Sequence, residues 1–162
     1  MTEVQREARL KLWTTEAAAA AEAAADWLEA GLTVRTVRGA KMRSTAALMD
    51  EVASALQFPH YFGENWAALD ECLADMEWLL PSTGIVLLVR DAELVLVDEG
   101  GEALEAFVAA LRNASDEYGE PVELGEAWDR PAVPFHVVLQ ASGDASSEAA
   151  ARWTAAGARL SD

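Results

Sequence analysis

The side chains able to do acid–base or nucleophilic chemistry gather in one stretch, residues 58–80, which reads FPHYFGENWAALDECLADMEWLL. It holds His60, Tyr61, five carboxylates of which Glu64, Asp70 and Glu71 are the candidates for acid–base chemistry, and Cys72, the single cysteine; His136 stands apart, further along the sequence. Histidine and carboxylates together are the usual makings of proton transfer. Neither histidine, however, has further ligands around it at metal-binding spacing. A lone cysteine at a core-adjacent helix position reads as a small apolar residue rather than a nucleophile. No G-x-S-x-G elbow, phosphate-binding P-loop or G-x-G-x-x-G turn is present. The expectation is therefore no catalytic residue, no metal and no cofactor.

The same stretch is better arranged for recognition. Pro59 restricts Phe58 to an extended conformation. Gly63 is expected to take the positive φ that other residues resist, and Asn65 to cap the helix that follows. Such punctuation predicts a rigid loop, which loses little entropy on binding. In the helix, Trp66, Leu69, Leu73, Met76 and Leu80 recur at spacings of three and four and form a core stripe. The opposite face carries Ala67, Asp70, Glu71 and Ala74, acids set between small residues, so that a carboxylate can enter a partner's groove unobstructed. No Lys or Arg occurs between Ser44 and Val89 to neutralise these acids locally. Tyr61, Phe62 and Trp78 supply aromatic surface of the kind that anchors interfaces. The plainer alternative is a solvated helix face beside a loop whose aromatics belong to the core.

The elements needed to position this segment follow from the flanking pattern. An alanine-rich helix is expected over residues 14–30, capped by Thr14 or Thr15 and ended by Gly31. A β-branched strand follows at 32–38, with Gly39 turning the chain. Ser44 opens a helix to about Gln57, with Leu48, Val52 and Leu56 on one side. The helix capped by Asn65 is expected to reach Leu79, with residues 81–84 breaking it. The run IVLLV (85–89) reads as a strand covered on both faces. A helix at 102–114 and a last strand at 135–140 complete the order β-α-α-β-α-β, which requires parallel strands with helical crossovers. Residues 141–162 turn to Ala, Ser and Gly and are expected to be a flexible tail with a short helix near 148–153. Trp128 is expected in a loop, packed over a sheet edge.

Charge bounds the partners. The formal net charge is −16; residues 1–42 carry six basic and six acidic side chains, residues 43–162 six and 22. Such a field repels nucleic acid and anionic lipid and accelerates association with a basic protein. One cysteine precludes an internal disulfide and suits a reducing cytoplasm. The first residues, charged throughout, do not read as a signal peptide, and no apolar run reaches the length of a membrane span. A cytoplasmic protein is the expectation.

The stretch VRGAKMRS (37–44), then a helix, then P-H-Y-F-G-E-N-W-A-A-L-D-E-C-L (59–73), resembles the barstar family, and the resemblance extends over roughly residues 33–140. It implies an α/β fold with a small three-stranded parallel sheet covered by helices. Residues 1–31 would then be a helical extension, 32–140 the barstar-like domain and 141–162 the tail. It also implies a non-catalytic inhibitor or immunity protein whose loop and helix occlude the active site of a basic, extracellular-type ribonuclease toxin. Glu71 falls where the family's acid stands in for a substrate phosphate, and Tyr61, Gly63, Glu64, Asn65 and Cys72 fall on the family's loop and helix positions. Three positions depart: Ala67 and, by a looser alignment, Ala109 replace contact acids, and Asp70 replaces a contact tryptophan. These departures leave open an immunity or regulatory protein of the same fold acting on a non-ribonuclease partner.

Overall fold

Five parallel strands form the sheet, in the order β2-β3-β4-β1-β5. The computed structural model describes residues 9–80, 82–127 and 129–161. In chain order the elements are β1 (Arg9–Thr14), α1 (Ala17–Glu29), β2 (Thr33–Arg38), α2 (Thr45–Leu56), α3 (Trp66–Ala74), β3 (Ile85–Arg90), α4 (Gly101–Gly119), β4 (Phe135–Ala141), α5 (Ser146–Ala155) and β5 (Leu160–Ser161). Pro81 and Trp128 lie outside the described residues.

The sheet of three strands expected from the sequence is a sheet of five. Strands β2, β3 and β4 are the expected ones, but β4 also pairs with β1, with Leu10 opposite Val137 and Leu12 opposite Leu139. β1 in turn carries the two-residue strand β5, with Leu10 opposite Leu160. β1 forms because R-L-K-L-W-T alternates with period two, which sends Leu10 and Leu12 into the main core and Trp13 to the other face. It also displaces the start of the first helix from Thr14 to Ala17. Glu16 occupies the cap position there and makes no side-chain cap bond.

The strands alternate between two cores. Ile85, Leu87 and Val89 of β3 face the larger one, Val86 and Leu88 the smaller. On the smaller side, among the described residues, α1 is the helix that covers the sheet, burying Ala20 against Val34, Val86, Leu88 and Val138, while Trp13 and Trp27 meet at 6.2 Å between ring centroids. The remaining helices line the larger core. Ser44 caps α2 by accepting the Ala47 N–H at 3.2 Å, and Leu48, Val52 and Leu56 are buried as their spacing requires. Gly39 is obligatory for packing: a Cβ there would lie 2.1 Å from the Asp91 carbonyl oxygen.

Two helices differ in length from their expected spans. α3 ends at Ala74 rather than Leu79, because the Met76 N–H turns away to the Tyr118 hydroxyl, and residues 77–79 form a single 3-10 turn. α4 continues past residue 114 to Gly119, since the buried series Leu104, Phe107, Leu111, Ala114 and Tyr118 keeps helical spacing. The tail is built into the fold: α5 buries Trp153 completely, and its indole N–H donates to the Ala92 carbonyl at 3.0 Å.

Candidate functional site

The loop between α2 and α3 is pinned from three sides. The Phe62 N–H donates to the Pro59 carbonyl at 3.0 Å. The Phe58 ring meets Phe62 edge-on at 5.0 Å and Trp78 at 6.2 Å. Trp78 donates its indole N–H to the Leu56 carbonyl at 2.8 Å, so the 3-10 turn, the loop and the end of α2 are one unit. Phe62 and Trp78 are half-buried by these contacts, whereas Tyr61 is 73% exposed. Pinning the frame while exposing the tip is what a preorganised recognition loop requires.

Asn65 caps α3 as expected, accepting the Ala68 N–H at 2.8 Å, and its side-chain amide also donates to the Gly63 carbonyl at 3.3 Å. The positive φ expected of Gly63 falls instead on Glu64, at 54°. A Cβ at Gly63 would stand 3.3 Å from the Asn65 side-chain nitrogen, which would have to give by a few tenths of an ångström, and 3.5 Å from the Ala68 Cβ, an ordinary contact. Holding a non-glycine residue in the left-handed region costs about 1–2 kcal/mol, and here that residue carries an exposed carboxylate.

On α3, Leu69, Cys72 and Leu73 face inward, and Ala67, Asp70, Glu71 and Ala74 face away from the core. The acids differ from each other. Asp70 is half-buried and accepts a hydrogen bond from the Asn113 side chain of α4 at 3.1 Å, so it is not the unpartnered carboxylate the sequence suggests. Glu71 is exposed, and among the described residues its carboxylate has no hydrogen bond or ion pair. A shallow hollow of about 80 Å³ lies beside it, lined in part by Tyr61, Phe62, Gly63, Cys72 and Trp78. Five of the expected recognition residues therefore converge on one depression: Tyr61, Phe62, Gly63, Glu71 and Trp78. Ala67, Asp70 and Ala74 are not among the hollow's lining residues, Asp70 being turned to Asn113 of α4, and Glu64 and Asn65 lie in the turn before α3.

Burial, reinforced by Glu71 and Asp75, raises the Cys72 pKa, which keeps the thiol protonated and weakly nucleophilic. His60 is exposed against Tyr61, at 6.0 Å between ring centroids, and His136 sits on β4. Among the described residues no group of three or more His, Cys, Asp or Glu side chains is placed to hold a metal ion. Asn113, Asp75 and Tyr118 bear on this surface without having been marked by the sequence. No local signal identifies Asn113 and Tyr118, because their roles come from packing between α3 and α4, whereas Asp75 follows Glu71 by four residues, a spacing that places both on one side.

A family model described as Barstar (barnase inhibitor) matches residues 32–140 of the chain. No curated protein matches it. Among solved structures, the chain is similar to Cdc6p from Pyrobaculum aerophilum, with 15% identity and a TM-score of 0.52 over 94% of this chain and 38% of that one. It is also similar to a chain in the structure of Drosophila ORC bound to DNA, with 13% identity and a TM-score of 0.50 over 96% of this chain and 79% of that one. At these identities the likeness concerns the fold alone.

Proposed function

This chain belongs to the barstar family, and on that premise we propose that it is a non-catalytic inhibitor that occludes the active site of a basic ribonuclease-type toxin. Glu71 stands in for a substrate phosphate. The observation that carries the reading is Glu71 itself: an exposed, unpartnered carboxylate between small residues, beside the projecting Tyr61 and a loop held in place by Phe58, Trp78 and Asn65. Two carboxylate oxygens offer a cationic nuclease pocket the charge and acceptor geometry of a phosphate. Ala67, Ala68 and Ala74 leave room for the pocket's rim. The charge of −16 draws in a basic partner over a distance and keeps nucleic acid away. Such a protein would serve as an immunity factor in the cytoplasm of the cell that makes the toxin.

A second reading keeps the fold and changes the partner to a non-ribonuclease protein. It rests on Asp70, held by Asn113, and on Ala67 and Ala109, which remove acids where the family carries them. The DNA in one similar structure is not carried over. The connection from β1 to α1, Thr14-Thr15-Glu16-Ala17, has no glycine to cradle a phosphate. Gln140 closes the crevice there, donating to the Thr15 carbonyl at 2.7 Å and accepting the Asp91 N–H at 2.9 Å.

The test is to mix the chain with barnase and related basic bacterial ribonucleases and follow both RNA cleavage and binding. Inhibition with Kd below micromolar is expected. Glu71→Ala should weaken binding by at least about 30-fold, and Glu148→Ala, on α5, should have little effect. Absence of binding to every ribonuclease at micromolar concentration and low salt ends the ribonuclease reading. Capture of a basic toxin of another activity, with the same sensitivity at Glu71, establishes the second.

A further inference from the structure

Beyond α3 the chain builds a second concave surface. Residues 122–127 and 129–130 belong to an arm closed by a two-way backbone pair, Val122 N–H to the Arg130 carbonyl at 2.9 Å and Arg130 N–H to the Val122 carbonyl at 3.0 Å. The arm's tip is ordered by Asp129, whose carboxylate accepts the N–H groups of Leu124 at 2.9 Å and Gly125 at 2.7 Å. Between this arm and the end of α3 runs an open groove of about 440 Å³. Leu80, Tyr118 and Val122 give it an apolar floor, with Asp75 and Glu77 on one bank and Asp129 and Arg130 on the other.

The charges of the two banks are not equally available. The Arg130 guanidinium donates three of its five N–H groups to the carbonyls of Glu117, Glu120 and Pro131 and lies 5.3 Å from the Tyr118 ring centroid, which holds it in place but leaves its charge; against the three carboxylates Asp75, Glu77 and Asp129 the lining is still net negative. Asp129 is engaged by its own arm. Asp75 and Glu77 are exposed, and their carboxylates have no hydrogen bond or ion pair among the described residues. What the groove offers a visitor is thus an apolar trough with two free carboxylates at its edge. A lysine or arginine side chain fits that description, its aliphatic stem along the floor and its charged head at the rim. Asp75 also lines the hollow beside Tyr61 and Glu71, so the two depressions adjoin at that residue.

The geometry points to this groove as a second recognition pocket that takes a lysine or arginine side chain of the same basic partner engaged by Glu71. The inference rests on the inhibitor reading and extends its interface to the arm.

Barnase is the probe, titrated into the full-length chain and its variants at physiological salt. Glu77→Lys should weaken binding about tenfold or more, as expected for reversing a charge against a seated cation. Glu123→Lys makes the same charge change on the exposed arm outside the groove, and should cost no more than about twofold through lost steering. Glu77→Gln, which removes the charge without reversing it, should fall between them, and thermal melts of all three should match the parent. Equal effects of Glu77→Lys and Glu123→Lys overturn the second pocket, whatever Glu71→Ala shows. A parent chain that does not bind barnase, yet binds another basic ribonuclease with the expected sensitivity at Glu71, moves the same comparison to that enzyme. A chain that binds no ribonuclease overturns the inhibitor reading and the pocket together.

Discussion

Tyr118 sets the edge of the proposed recognition surface. It is buried, and its hydroxyl accepts the backbone N–H of Met76, which fixes where α3 stops and the 3-10 turn begins. Burial is the main cause of a phenol pKa pushed up to about 12. A group whose folded pKa lies above its unfolded value contributes stability that is complete below the unfolded value and is lost as pH rises through the folded one. Melting temperature should therefore decline from about pH 10 towards pH 12, and Tyr118→Phe should flatten that decline. The same substitution leaves the Met76 N–H without its acceptor and should cost about 1–3 kcal/mol at neutral pH; an unchanged denaturation midpoint would contradict the assignment. Glu64 gives a second residue-level expectation. Glu64→Gly removes the left-handed strain while adding chain entropy to the unfolded state, so stability should be equal or up to about 1 kcal/mol higher. A clear loss in a denaturant titration would show that φ at this position is not strained. The sequence points to a positive φ in this turn but to the wrong residue. The preference of glycine for that conformation does not say which of two adjacent residues adopts it, and only the folded turn, held by the Asn65 cap, decides between them.

The elements legible in the sequence are those with their own punctuation. Ser44 and Asn65 cap α2 and α3, and the apolar run of β3 is buried on both faces. The outward face of α3 was legible from spacing, and Glu71 with it; the tether on Asp70 was not, because Asn113 lies 43 residues further along. β1 carried a usable signal in the alternation of Leu10 and Leu12, hidden by the charged residues around it. The helix α5 is legible near 148–153, but its docking is not, because an Ala- and Ser-rich composition reads as a flexible tail although Trp153 is fully buried, 6.1 Å from Phe107 between ring centroids. Trp153→Ala should cost about 3–5 kcal/mol, as measured by chemical denaturation. A loss below about 1 kcal/mol, typical of a surface substitution, would mean that α5 is not part of the folded unit.

For the whole molecule the dominant quantity is charge. With 28 acidic and 12 basic side chains, association with a basic ribonuclease should be fast at low ionic strength, and its rate constant should fall at least about tenfold between 10 and 150 mM salt. A rate independent of salt in stopped-flow measurements would remove steering from the account. Stability also has an acidic limit. Arg38 holds the Glu51 carboxyl below its ordinary pKa through a paired contact at 2.8 Å, and its neighbours' amides do the same for Asp129, so both contributions are lost as pH falls below the usual carboxylate range. The sheet order has a consequence for how the protein is made. β1 emerges during synthesis before β2, β3 and β4, yet its strand partners are β4 and β5, which follow them in the chain. A nascent chain can assemble β2, β3 and their helices early, but it must carry the Leu10–Trp13 segment unpaired until residue 135 and beyond have been added. Parallel strands this distant in sequence also pair slowly. The segment most exposed to aggregation or proteolysis during translation is thus the one that ends up between two strands of the finished sheet.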